Sequence, residues 1–253
     1  MDRVKFLNIE INNVTKVELL NENLYGIVFT PNVDHLIKLQ KDEEFYMNYS
    51  KANWVVCDSK IIQLFSKFLF TPIKEVIPGS DLFPEYCQIV ASNPIHNKKI
   101  FLLGGTTNAI LEKAVYNLQN HHICKFIVGA YSPPFGFENS QIEIDKIVQL
   151  INDSGANVLA VAIGAPKQEN LIFKLKDLLY NIQLYFAIGA TLDFISGKIK
   201  RAPKVFQTLK LEWLFRMLSN PKRLAKRYLI DDLPIFYFVL KYKFGSYKNP
   251  FKD

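Results

Sequence analysis

From residue 24 onward the chain repeats one pattern: a short apolar run, a few small or polar residues, then an amphipathic stretch. LYGIVF (24–29) ends at Thr30-Pro31-Asn32-Val33-Asp34 and leads into HLIKLQKDEEFYMNYSK. ANWVVC (52–57) ends at Asp58-Ser59 and leads into KIIQLFSKFL. KIFLLGG (99–105) precedes TTNAILEKAVYNLQN, and ANVLAVAIG (156–164) precedes APKQE and NLIFKLKDLL. LYFAIGA (184–190) precedes TLDFISG. Apolar runs of this length read as strands covered on both faces. Their alternation with helical stretches predicts an α/β fold of Rossmann-like, doubly wound type with a mostly parallel sheet.

Ligands of such sheets bind outside the carboxyl ends of the strands. The residues just after each run are therefore the candidates: Thr30, Asn32, Asp58, Gly104, Gly105, Gly164, Gln168, Glu169, Gly189 and Asp193.

The pattern changes at residue 197. The remaining 57 residues contain helical stretches and no further buried-strand run. They also hold the basic excess. Residues 1–196 carry a net charge of −3, and residues 197–253 carry +10. We therefore expect an α/β catalytic domain over 1–196 and a basic helical appendage over 197–253. Ser219-Asn220 before Pro221 reads as a helix start. Lys222, Arg223, Lys226 and Arg227 then gather on one helix face. Such a segment points to an acidic partner: anionic lipid, phosphate groups or nucleic acid. LPIFYFVL (233–240) is too short to span a bilayer and reads equally as a core element or an interfacial one.

Composition narrows the class. Of 253 residues, 49% are hydrophobic and 22% charged, which excludes disordered and coiled-coil chains. Three cysteines without CxxC spacing and four histidines predict neither a disulfide scaffold nor a zinc site. The opening MDRVKFLNIEINNV has no apolar core of a signal peptide, so a cytosolic protein is expected.

Taken singly, the candidates are ambiguous. Gly104-Gly105-Thr106-Thr107 opens a helix after a strand and suits a phosphate, or is simply a tight turn. Neither G-x-G-x-x-G nor the P-loop pattern is present. Asp58 suits a general base toward a sugar hydroxyl, or a helix cap. Gln168 and Glu169 suit hydrogen bonds to sugar hydroxyls or an N-acetyl group, or are a capping arrangement plus a solvent-facing pair.

Three segments together are more specific: VLAVAIGAPKQENLI (158–172), FAIGATLDFISGKIKRAPKVFQ (186–207) and LEWLFRMLSNPKRLAKRYL (211–229). They resemble the signature regions of the WecG/TagA/CpsF glycosyltransferases, glycosyltransferase family 26. Thr30 and Asn32 in Thr-x-Asn, Asp58, PGSDLF (78–83) and the Gly104-Gly105 turn extend the resemblance over nearly the whole chain.

The resemblance implies an inverting, metal-independent transfer with no cofactor. The implied donor is a UDP-sugar, most commonly of N-acetylmannosamine or its uronic acid. The acceptor is N-acetylglucosamine on polyprenyl diphosphate, at the inner face of the cell membrane, in cell-surface polysaccharide synthesis. It implies Asp58 as the base with Thr30 beside it, and a basic appendage that closes the site and meets an anionic membrane surface. Asn32, Gly104, Gly105, Gly164, Gln168, Glu169 and Asp193 become expected substrate-binding residues. Arg201, Arg216, Arg223 and Arg227 join them, because arginine forks match the oxygens of a leaving diphosphate. No Asp-x-Asp metal signature occurs. No nucleic-acid partner is expected, and self-association into a homo-oligomer is left open. Two departures stand out: Ser59 where the family has glycine, and Leu192 where it has phenylalanine. Ser59 keeps a catalytically impaired relative in view; an oxidoreductase of similar fold is the other alternative.

Overall fold

The computed structural model describes residues 2–21, 24–93, 97–120, 125–203, 206, 212–219 and 221–252, apart from the side chains at 212, 213, 216, 222 and 223. A small antiparallel hairpin, β1 (Arg3–Phe6) and β2 (Ile9–Asn12), begins the chain. The short helix α1 (Lys16–Asn21) follows. The six parallel strands are β3 (Gly26–Phe29), β4 (Trp54–Val55), β5 (Ile100–Gly104), β6 (Ile127–Tyr131), β7 (Val158–Ala162) and β8 (Leu184–Ala187). They lie in the order β4-β3-β8-β7-β5-β6.

Strand periodicity divides the core into two layers. Phe29, Phe101, Leu103, Leu159, Val161, Tyr185 and Ala187 face one layer. Its helices are α2 (Val33–Lys38), α3 (Glu43–Ser50), α4 (Lys60–Phe68), α7 (Gln141–Asp153) and α8 (Lys167–Leu175). Val28, Leu102, Val158, Ala160, Leu184 and Phe186 face the other, which holds α5 (Gly79–Ser92), α6 (Asn108–Gln119) and α9 (Thr191–Ile195). Connections that move toward β4 run over the first layer, and those toward β6 over the second, the long β4–β5 connection laying α4 on the first layer before α5 covers the second. All crossovers therefore share one hand. The chain leaves β5 toward β6 but leaves β7 toward β8. A doubly wound sheet opens its crevice at such a reversal.

The amphipathic stretch after Asp34 is two helices, because Asp42 accepts the Phe45 N–H and starts α3 afresh. Beyond the sheet come α10 (Glu212–Ser219), α11 (Pro221–Lys226), a π-helical turn (Arg227–Asp231) and α12 (Pro234–Lys243). The expected start at Pro221 is present; Asn220 lies outside the described residues. α12 holds PIFYFVL, with Leu233 at its cap, and is a core element on one side. Ile235 and Val239 enter the first layer, while Phe236, Tyr237 and Leu240 remain exposed. Among the described residues no helix is long and apolar enough to cross a membrane.

Candidate active site

Parallel strands bring their carboxyl ends to one edge, and there the sequence candidates gather. Thr30 follows β3 and is nearly buried. Gly79 starts α5 against it: a Cβ at Gly79 would lie 3.0 Å from Thr30 Oγ1 and 3.9 Å from Thr191 Oγ1. The PGSDLF segment is thus needed for a close approach to Thr30. Asn32 caps α2 by accepting the His35 N–H at 3.3 Å. The Asp58 N–H donates to Pro31 O at 3.0 Å, joining the loops after β3 and β4. Ser59, not Asp58, caps α4 through the Ile62 N–H. The Asp58 carboxyl is therefore not the cap.

Gly164 takes a left-handed backbone, and the loop it opens feeds α8. Gln168 and Glu169 at its start are 2% and 1% exposed, against the expectation of groups turned toward a sugar. Burial leaves them to bond inside the protein. Gln168 Oε1 accepts the Gly189 N–H at 3.0 Å, and its Nε2 donates to Glu169 Oε1 at 2.9 Å. This pair ties the β7 loop to the β8 loop. Glu169 Oε2 is buried without a hydrogen-bond partner. Desolvation pushes the Glu169 carboxyl up to about 7, against the pull of Gln168.

Tyr49 of α3 lies among the carboxyls. Burial pushes its hydroxyl well above the ordinary phenol range, and the charges of Glu169, Asp58 and Asp34 add to that. The hydroxyl meets His35 Nδ1 at 2.8 Å. Burial drives this imidazole down to about 3, so it is neutral. A neutral ring can accept from a phenol that keeps its proton. Three carboxyls, from the first turns of α2 and α8 and from the loop after β4, thus act on one uncharged aromatic pair.

On the other side of β7, the Gly104-Gly105 turn is held by geometry. Gly104 has φ 119°, and a Cβ there would run into the Ala162 carbonyl. The Gly105 N–H donates to that carbonyl at 3.1 Å. Thr106 Oγ1 donates to Asp193 Oδ1 at 2.7 Å, and Lys198 approaches the same oxygen at 3.3 Å. Asp193 is therefore the link between the β5 and β8 loops.

Arg201 has a structural task. Pro84 lies inside α5 and supplies no N–H to the carbonyl four residues back. That carbonyl belongs to Ser80, and Arg201 Nη2 donates to it at 2.8 Å. Arg201 Nη1 also pairs with Asp81 at 2.6 Å.

Arg227 brings the appendage to the edge. Its Nη2 donates to Asn32 Oδ1 at 3.0 Å and approaches Asp34 at 3.7 Å. Its Nε lies 3.8 Å from Asp232. Lys38 pairs with Asp34 at 2.7 Å and donates to Ala165 O at 3.2 Å, joining α2 to the β7 loop. Desolvation opposes ionisation of Asp34, yet Arg227 and Lys38 hold its carboxyl below the usual range. The side chains of Arg216 and Arg223 lie outside the described residues. Sequence reading missed Asp34 and Lys38. Their signal was an acid–base pair four residues apart, directly after Asn32.

Among the described residues no three His, Cys, Asp or Glu side chains are grouped as metal ligands. The arrangement offers a carboxylate at a strand end, a glycine turn beside the sheet reversal, and cations arriving from the appendage. That is equipment for transfer from a charged leaving group.

Comparison with known proteins agrees. The glycosyl transferase WecG/TagA/CpsF family model matches residues 4–249. A curated relative from Staphylococcus aureus (strain MW2) is named N-acetylglucosaminyldiphosphoundecaprenol N-acetyl-beta-D-mannosaminyltransferase. It is 26% identical over 253 aligned residues, covering 94% of this chain and 92% of the relative. The chain is a member of the WecG/TagA/CpsF family, and thus a glycosyltransferase.

Proposed function

We propose that this enzyme transfers N-acetylmannosamine from a UDP donor to N-acetylglucosamine carried on polyprenyl diphosphate, with inversion and without a metal ion. The observation that carries this reading is the near end-to-end match to a relative named for that transfer. Asp58 takes the proton of the acceptor hydroxyl as its oxygen bonds to the donor's anomeric carbon. The bond from that carbon to UDP breaks, and its electron pair leaves with the diphosphate. Arg227, with Arg216 and Arg223, meets the charge that develops there. The glycine turn at Gly104-Gly105 faces the nucleotide side. Thr30 and Asn32 border the acceptor, and Gln168 and Glu169 hold the wall between the two loops. The lipid acceptor places the enzyme peripherally at the inner membrane face, with the basic appendage toward anionic headgroups.

The test is a transfer assay with UDP-N-acetylmannosamine and a water-soluble lipid-diphosphate N-acetylglucosamine analogue, with and without a chelator. The expected result is release of UDP with formation of an anomerically inverted disaccharide, unaffected by the chelator. Retention of configuration, or activity lost to chelation and restored by Mg²⁺ or Mn²⁺, overturns that part of the reading. No transfer from this donor overturns the sugar assignment.

A further inference from the structure

Two helices far apart in sequence expose apolar stripes side by side. On α4, Leu64 and Phe68 share a face and stand about half exposed. On α12, Phe236, Leu240 and Phe244 form an exposed row, opposite the buried Ile235 and Val239. The rings of Phe65 and Phe236 join the helices, with centroids 5.2 Å apart. Lys243 completes the junction. Its Nζ donates to Phe68 O at 2.8 Å and lies 3.6 Å from the centre of the Phe70 ring.

Phe70 is the telling residue. α4 ends in a Schellman motif: the Thr71 N–H donates to Ser66 O at 2.9 Å, and the Phe70 N–H to Lys67 O at 3.1 Å. Phe70 itself takes φ 62°. Glycine is the inexpensive choice there, and a bulky side chain is an outlier. Phenylalanine occupies the position and leaves its ring 83% exposed. Backbone strain is accepted in order to hold an aromatic ring outward.

Charge identifies what covers this face. Residues 59–74 and 233–252 together contain seven lysines, of which Lys74 pairs with Glu18, and no aspartate or glutamate. A second copy of the chain, meeting the same face symmetrically, would set lysines against lysines. An anionic bilayer satisfies both features: rings enter the interface, and lysines stay at the headgroups. We infer that the exposed face of α4, with Phe70, inserts together with α12 into an anionic lipid interface. The catalytic body, and not the appendage alone, then meets the membrane. This rests on the membrane-side function proposed above and adds to it. α4 begins beside Asp58 and carries the face to within about three turns of that carboxyl.

The test uses the full-length chain, with sedimentation onto phosphatidylcholine vesicles with and without phosphatidylglycerol. Wild type should bind the anionic vesicles and release as salt rises. Phe70→Gly and Leu64→Gln should each bind at least about tenfold more weakly. Phe70→Gly should keep or raise the thermal midpoint, because glycine suits that backbone. Both variants should turn over a water-soluble acceptor at the wild-type rate. Failure of wild type to bind anionic vesicles overturns the inference, and so does wild-type binding by both variants. A dimer in solution that Leu64→Gln dissociates also overturns it, in favour of a second copy. Loss of transfer to the soluble acceptor in wild type would instead count against the proposed activity. Vesicle binding is read without it.

Discussion

Ser59 caps α4, and Asp58 beside it is the base of the proposed transfer. The serine hydroxyl takes that cap, and Asp58 stands at the carboxyl end of β4. Asp58→Asn should therefore keep the fold and lower kcat by about 10²–10⁴, with little change in UDP-sugar binding. Steady-state kinetics beside a thermal melt separates this from a structural role. The sequence left cap and base open at this pair; the hydroxyl's reach to the Ile62 N–H decides for the serine. Glu169 was legible as a candidate at the strand edge but not as a buried residue, since no pattern in APKQE tells which way a helix start turns. Its burial has a consequence in pH. Desolvation raises the folded carboxyl from 4.5 to about 7, so the folded chain holds this proton more tightly than the unfolded one. The stability this gives is whole below about pH 4.5 and is lost as pH rises to about 7, on the order of 3 kcal/mol. Thermal midpoints should fall across that window in wild type and fall less in Glu169→Gln.

At the scale of elements, the buried strands were the plainest part of the sequence, because β3, β5, β7 and β8 are apolar at nearly every position. β6 was not marked. It is an edge strand whose residues alternate between buried and exposed, and its glycine breaks the run. The hairpin of β1 and β2 escaped for a similar reason: four-residue strands with polar faces carry little periodicity. Proline 84 shows how an element can break a local rule when another segment compensates. Arg201 supplies the donor that α5 lacks. Arg201→Ala should cost about 1–2 kcal/mol, as the Ser80 carbonyl and the Asp81 carboxylate lose a charged donor. In a Pro84→Ala background, where the backbone N–H returns, the same change should cost less. Denaturant unfolding of the four combinations measures the coupling.

Over the whole molecule, the charge asymmetry pointed to an appendage with an acidic partner but gave no hint of how it returns. The last residues close over the first helices. Tyr247 donates to Gln40 at 2.7 Å, Asn249 to Tyr46 at 3.0 Å, and Tyr242 to Lys5 O at 3.4 Å. Contacts across such separations leave no trace in local pattern. They make α12 part of the core, so Ile235→Ala should lower global stability by about 3 kcal/mol. Unfolding followed by fluorescence and by circular dichroism should then shift together. A large Ile235→Ala shift confined to a separate early transition would mean that α12 unfolds alone.

The sheet order also governs how the chain is made. β3 is an early strand, yet its partner on the inner side is β8, in register from Gly26 with Leu184. At typical synthesis rates of about 5–20 residues per second, roughly 8–32 s pass between the emergence of these two strands. Through that interval the first half of the nascent chain can pair β3 only with the two-residue β4. The middle of the sheet closes when β8 arrives, and the first layer only when α12 follows. A ribosome stalled before residue 184 would release a chain with every loop of the crevice up to the β7 turn and no strand between β3 and β7 to hold them together, a direct substrate for chaperones and proteases.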